Sequence, residues 1–376
     1  MTGTFLRRAA CGLFILAAFP AYAAPARQTV ADLLTAAVAA TGQATFTYDS
    51  VTGEGDSVTL TGAKLTATDG TVASVPSLIL TGVVERASGG FTAARVTADQ
   101  GNAIGHGDTT TWAAAALEGV IVPSADEVKA RARIRPFAKA TAGTINITGA
   151  DLAAPVDVAS VSVDIGDVVE GSPSAIQMHA TRVRLPAALL SNSLFNAVIV
   201  MLDYKEFLAE VTFDGEYDTT ADTVAVRALT IDAASVGKIT VSGTASAFSV
   251  KGLTTPEKSK EARANARLDK LAVRLDNAGF VERLLDKQAE MLGGTRDDVR
   301  SQMVDFMLPF ALSFVDNVAF RDQFLAATAT FLKDPRSLTI TFSPEKPVPL
   351  GQVMRTAAHS PAALPDLLTP TVEANN

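Results

Sequence analysis

The chain has 376 residues, 48% of them hydrophobic and only 6% aromatic, and its 40 acids against 32 Lys and Arg leave a net charge of −8. An acidic surface of this kind repels phosphate backbones and anionic lipid surfaces, so nucleic acid is the wrong partner on charge. One cysteine, Cys11, excludes a disulfide framework and a cysteine-based metal site.

Residues 1–23 carry Arg7 and Arg8, an apolar run from Ala9 to Phe19, and Ala21-Tyr22-Ala23 before Ala24-Pro25. This is the pattern of a cleavable signal peptide, too short and wrongly flanked for a retained transmembrane helix. The residues after Arg7-Arg8 do not complete a twin-arginine signal, and Cys11 lies too early for a lipoprotein. Cleavage after Ala23 removes two arginines, no acid and the cysteine, which moves the net charge from −8 to −10. The expectation is a thiol-free periplasmic protein with no stable transmembrane anchor in the mature chain.

From Thr29 to Gly42, Val30, Leu33, Leu34, Ala37 and Val38 recur at helical spacing, which predicts an amphipathic helix with Thr29 and Asp32 at its start and Gly42 at its end. Period-two text follows from Thr45 to about Thr97, with turns at Gly53–Asp56, Asp69-Gly70 and Ser88–Gly90. Ser124 to Glu127 reads as a capping box before Pro136. Pro186 is expected to open an apolar helix through Leu189, Leu190, Leu194, Phe195 and Val198 to Met201, with strands resuming over 208–213, 224–231 and 238–250.

Four near-identical pentapeptides punctuate this region, at Val58–Gly62, Leu78–Gly82, Ile145–Gly149 and Ile239–Gly243, each with two branched apolar residues on one face and a closing glycine. VTLTGAKL from Val58 aligns with INITGADL from Ile145, Ala73-Ser74-Val75 with Ala159-Ser160-Val161, and Val83-Val84-Glu85 with Val168-Val169-Glu170. The spacing suggests a duplicated β-meander; the alternative is that Val, Thr and Gly recur because strands favour them.

Residues 254–265 are charged and alanine-rich, the best linker in the chain. Beyond them Leu268, Leu271, Val273 and Leu275 predict a strand. Helices then follow: one lined by Phe280, Val281, Leu284, Leu285 and Leu292 and stopped at Gly293-Gly294, one capped by Thr295 and Asp298, and one running from Asn317 to Asp334-Pro335. Leu338 to Phe342 predicts a last strand, and the tail from Pro361 reads as loosely ordered. Between Met303 and Val315 apolar residues wrap nearly the whole helical circumference, so this helix is expected to be covered on all sides. Protein is the ordinary cover; the functional alternative is a bound acyl chain, with Met303, Phe306, Met307, Phe310 and Phe314 as candidate groove lining.

Catalytic chemistry is thin. His106, His179 and His359 have no partner at metal spacing, and His106 in Gly105-His106-Gly107-Asp108 reads as a polar turn. Gly237-Lys238-Ile239-Thr240 lacks the spacing of a phosphate loop, Asp214–Asp222 lacks the alternation of a calcium loop, and Asp297-Asp298 suits a helix start. No cofactor or metal is expected.

The predicted fold is α+β: a long curved, mainly antiparallel β-sheet built from repeated strand units, with helices packed on or in its concave face. Residues 24–253 form the β-rich region with its N-terminal helix, and 254–376 a helical region whose strands near 266–275 and 337–343 join the same sheet. The strand repeats, over Phe46 to Val250, and the ending Phe331-Leu332-Lys333-Asp334-Pro335-Arg336-Ser337-Leu338-Thr339-Ile340 resemble the AsmA-like periplasmic proteins and their alpha-proteobacterial relatives. The resemblance implies handling of lipids or outer-envelope components, while the missing membrane anchor departs from that family and puts a fixed bridging role in doubt. Two classes of function follow: a non-enzymatic lipid-handling protein with an apolar groove, or an envelope component that binds protein partners and has a self-filled core.

Overall fold

Helix α1 (Arg27–Ala40) buries Val30, Ala31, Leu34, Ala37 and Val38 along one stripe, with Leu33 packed beside them. It begins ahead of Thr29, so Thr29 lies within the helix and not at its cap; Gln28 instead reaches Asp32 and the Tyr48 hydroxyl, at 2.9 Å each. Gly42, at φ +66°, ends it as expected. The computed structural model describes residues 27–130, 132, 134–169, 172–190, 196–248 and 265–376. The signal peptide, Leu194, Phe195 and most of the 254–265 linker lie outside the described residues.

Two compact units divide at Leu189 and Leu190. The change of sequence pattern near residue 253 is not the boundary, because strands on its two sides pair directly, with Val241 opposite Val273. The first unit contains β1 (Ala44–Thr47), β2 (Ser50–Thr52), β3 (Val58–Ala67), β4 (Val72–Thr81), β5 (Val84–Glu85), β6 (Gly90–Thr97), β7 (Gly101–Gly105) and β8 (Asp108–Pro123). After the capped helix α2 (Ala125–Lys129) come β9 (Lys139–Gly149), β10 (Val156–Ile165), β11 (Val168–Val169), β12 (Ser172–Pro173) and β13 (Ala175–Pro186). Among the described residues the strands of this unit pair antiparallel.

The apolar stripe of α1 packs with Phe46, Leu60, Leu78, Leu80 and Phe91 in one core. Trp112, Ile145, Ile147, Val156 and Val158 make a second, where the Trp112 indole donates to the Ala98 carbonyl at 2.6 Å. Burial does not alternate strictly along these strands. β3 buries Val58 and Leu60, then Ala63 and Leu65, and the phase slips at Gly62, whose φ is +60°. Gly82, at φ +62°, does the same between Leu80 and Val83, and Thr144, at φ +53°, between Ala142 and Ile145. A left-handed residue inserts one extra position between inward-facing side chains, so a strand stays apolar on its core side through a bend.

Three of the pentapeptides lie within strands and the fourth runs to the end of β4, with Gly82 just past it, but they are not equivalent. In β3 the segment opens the strand, and Val58 and Leu60 face Leu80 and Leu78 at the far end of the next strand. In β9 it closes the strand, and Ile147 and Ile145 face Val156 and Val158 at the near end. Gly62 and Gly82 are left-handed whereas Gly149 and Gly243 are not. The recurrence therefore reflects strand chemistry and not a duplicated hairpin held in one register.

The second unit begins with α3 (Asn196–Met201). Pro186 ends a strand, and a 3₁₀ turn over Ala187–Leu190 stands where a continuous helix was expected. Its sheet runs β14 (Glu206–Asp218), β15 (Thr223–Ala233), β16 (Gly237–Ser246), β17 (Arg267–Asn277), β18 (Ser337–Phe342) and β20 (Pro370–Ala374), and the short β19 (Val348–Pro349) pairs with the start of β17. A bulge between Thr244 and Ala245 lets Leu268 and Leu271, odd neighbours in sequence, share one face. Between β17 and β18 lie α4 (Phe280–Leu292), α5 (Arg296–Gln302), a π turn over Met303–Met307, α6 (Leu308–Ala311) and α7 (Val318–Lys333). Gly293, the Thr295–Asp298 capping box and Asn317 punctuate them.

The tail is ordered, contrary to the expectation. α8 (Leu350–His359) and α9 (Leu364–Leu368) precede β20, where Val372 is buried opposite Ile340. Five residues of alternation are too few to stand out in sequence, and it is pairing with β18 that fixes them. The fold class is α+β with mainly antiparallel strands.

Candidate functional site

The sheet of the second unit is sharply two-faced. Val211, Ile231, Ile239, Leu275, Leu338 and Ala374 stand directly opposite one another in a row across six strands. Two residues along, Phe213, Leu229, Val241, Val273, Ile340 and Val372 form the next row of the same face. The other face carries Thr212, Thr230, Thr240, Arg274, Thr339 and Glu373. Such a split follows from the two-residue strand period and implies that the apolar face has a partner.

Helices supply that partner for half of the face only. Val281, Leu285 and Ala289 of α4, Val299 of α5, and Phe331 and Leu332 of α7 form a buried cluster against Leu275, Leu338 and Ala374. Leu268, Val348 and Leu368 form another against Leu271 and Phe342. These covered positions belong to β17, β18 and β20. On β14 to β16 the rows continue without cover of that kind: Ile231 and Ile239 are each 44% exposed, and Val211, Phe213, Leu229 and Val241 are half-buried. The Phe213 ring folds over Gly215, where an added Cβ would lie 2.6 Å from it.

The segment from Met303 to Val315 is not a helix covered on all sides. Met303, Val304 and Leu308 turn into the helical cluster, while Phe306, Phe310 and Phe314 are 71%, 72% and 71% exposed and Met307 stands in solvent beside them. Of the five candidate lining residues, Met303 is thus separated from the other four. The cause is local. Pro309 has no N–H to give, the turn before it widens so that the Leu308 amide bonds to the Met303 carbonyl, and regular helix ends at Ala311. A circumference counted on a continuous helix therefore overstates the cover required. Phe310 and Phe314 meet edge to face, with centroids 6.4 Å apart.

Several charged groups in each unit have structural partners. The Thr295 hydroxyl and backbone N–H hold the Asp298 carboxyl below its usual range, and Arg296 does the same for Asp286. His106 lies in the β7–β8 turn at φ +53°, within 3.2 Å of Asp69, and the Thr71 backbone and His106 lower the Asp69 pKa. His359 ends α8 and His179 lies on β13. Asp218 accepts the backbone N–H groups of Thr220 and Ala221, which accounts for the acidic hairpin as a turn, and Lys238 lies in β16. Among the described residues no helix is long and apolar enough to cross a membrane.

The fold and its face thus define a mainly antiparallel α+β protein whose sheet is apolar beyond its helical cover. A family model described only as an uncharacterized protein matches residues 230–375, a stretch within the second unit that includes β16 to β20 and the phenylalanine strip. No curated protein matches the chain.

Proposed function

We propose that this is a non-enzymatic periplasmic protein, exported by cleavage after Ala23, that binds lipid or another hydrophobic envelope component on the open apolar face of its second unit. Phe306, Met307, Phe310 and Phe314 give that unit a further apolar contact surface. The observation that carries the reading is the row Val211–Ile231–Ile239–Leu275–Leu338–Ala374, uniformly apolar but covered at one end only. An uncovered apolar face in water costs about 25 cal/mol per Å², a cost that a bound alkyl chain removes. The resemblance to AsmA-like proteins points the same way.

Phe310→Asp and Ile239→Asp test this on the full chain purified from the periplasm. Both variants should keep the circular dichroism of the parent, because their side chains already meet water, and both should lose extractable lipid. A folded variant that retains its lipid removes that residue from the site. A parent protein without lipid favours the competing reading of a protein-binding envelope component.

A further inference from the structure

One end of the open face is chemically distinct. Phe207 precedes Ala209 and Val211 at two-residue steps on β14 and so shares their face. Its ring lies 5.1 Å from that of Tyr204, whose hydroxyl donates to the Ser235 carbonyl at 3.5 Å in the β15–β16 turn. Arg283, exposed on α4, places its guanidinium carbon 4.8 Å over the Tyr204 ring. Helix α4 is the element that covers Leu275, the neighbour of Ile239 in the apolar row.

Arg283 carries no ion pair among the described residues, whereas several charged neighbours are engaged. Glu282 accepts from Asn277 at 2.7 Å, Asp286 is held by Arg296, Lys287 pairs with Glu290 at 2.6 Å, and Asp203 pairs with Lys205. In a protein of net charge −8, an uncommitted guanidinium oriented by an aromatic ring at the border of an apolar surface is a selective feature. It leaves the donors on its rim available for a planar or tetrahedral oxyanion.

We infer that the open face takes an amphiphile with an anionic head group, its alkyl chain lying along Ile231, Ile239, Leu229 and Val241 and its carboxylate or phosphate at Arg283. This rests on the proposed lipid-binding reading and names its ligand class. The test is displacement of a fluorescent dansyl-undecanoate probe from delipidated full-length protein by palmitate, by hexadecanol and by inorganic phosphate. In the parent, palmitate should compete about tenfold better than hexadecanol, the scale of one charge-assisted contact, and phosphate alone should not compete. Arg283→Met should erase the preference for palmitate while leaving hexadecanol binding unchanged, and Arg283→Lys should restore part of it.

Equal binding of palmitate and hexadecanol by the parent, or an Arg283→Met variant that keeps the preference, overturns the head-group assignment and leaves the lipid-binding reading intact. Binding of none of the alkyl ligands removes both. Competition by phosphate alone would make Arg283 a free-anion site and overturn the amphiphile.

Discussion

The two units solve the same packing problem differently. In the first, a sheet bent at left-handed residues closes over Leu60, Leu78, Leu80 and Phe91, all at most 1% exposed, and α1 lays its apolar stripe into that core. In the second, one face of the sheet carries two apolar rows, but its helices stop at β17, and Ile231 and Ile239 face water. Sequence hydrophobicity does not separate these regions. What separates them is whether an element covers the apolar rows, so a strand pattern that looks like core can be a core or a binding surface.

The comparison is most directly broken by paired substitutions. Phe91→Ala, in the closed unit, should cost about 3–5 kcal/mol, read from urea unfolding as a large drop in midpoint. Ile239→Ala on the open face should cost at most about 1 kcal/mol. Similar costs at the two sites would mean that the second face is covered in solution.

The bends sharpen it further. Gly62→Ala forces an L side chain into the left-handed region and sets its Cβ 2.0 Å from an Asp49 carboxylate oxygen; a loss of about 1–3 kcal/mol is expected. Gly149→Ala also meets a carboxylate oxygen, of Asp108 at 2.0 Å, but its backbone is not left-handed, so the loss should be smaller. Thr144→Gly relieves a left-handed β-branched residue and should stabilise by up to about 1 kcal/mol. A destabilised Thr144→Gly would show that the phase slip in β9 does not need that conformation.

Smallest are the pH effects. The folded pKa values of Asp286 and Asp298 lie below the unfolded one. Their contributions are therefore present above the unfolded carboxylate pKa and lost as pH falls through the lowered folded values. Both groups are exposed, so Asp298→Asn should alter only the acid limb of a melting-temperature profile, and slightly. A shift at neutral pH of the same size as that on the acid limb would count against carboxylate titration as its source.

How legible this was depended on range. The stripe of α1, the capping boxes at Ser124 and Thr295, and the Asn317 cap are set by residues within four positions of one another, and their types declare them. The open face was only half legible: alternation shows that Ile231 and Ile239 share a side, yet their exposure depends on where α4 and α7 dock, which is a long-range outcome. Phe306 and Phe310 were legible as apolar residues of a helical segment, but the π turn and Pro309 that turn them outward act through a hydrogen-bond register that a helical wheel does not contain. α8 and β20 were missed because their patterns are short and are fixed by neighbours distant in sequence.

Native mass spectrometry of the full chain purified from the periplasm, with the parent and Ile239→Asp side by side, tests the central claim most directly. The parent should carry an extractable amphiphile, and the variant should be equally folded and ligand-free. A ligand-free parent, or a variant with undiminished occupancy, would contradict the assignment of the open face as a binding surface.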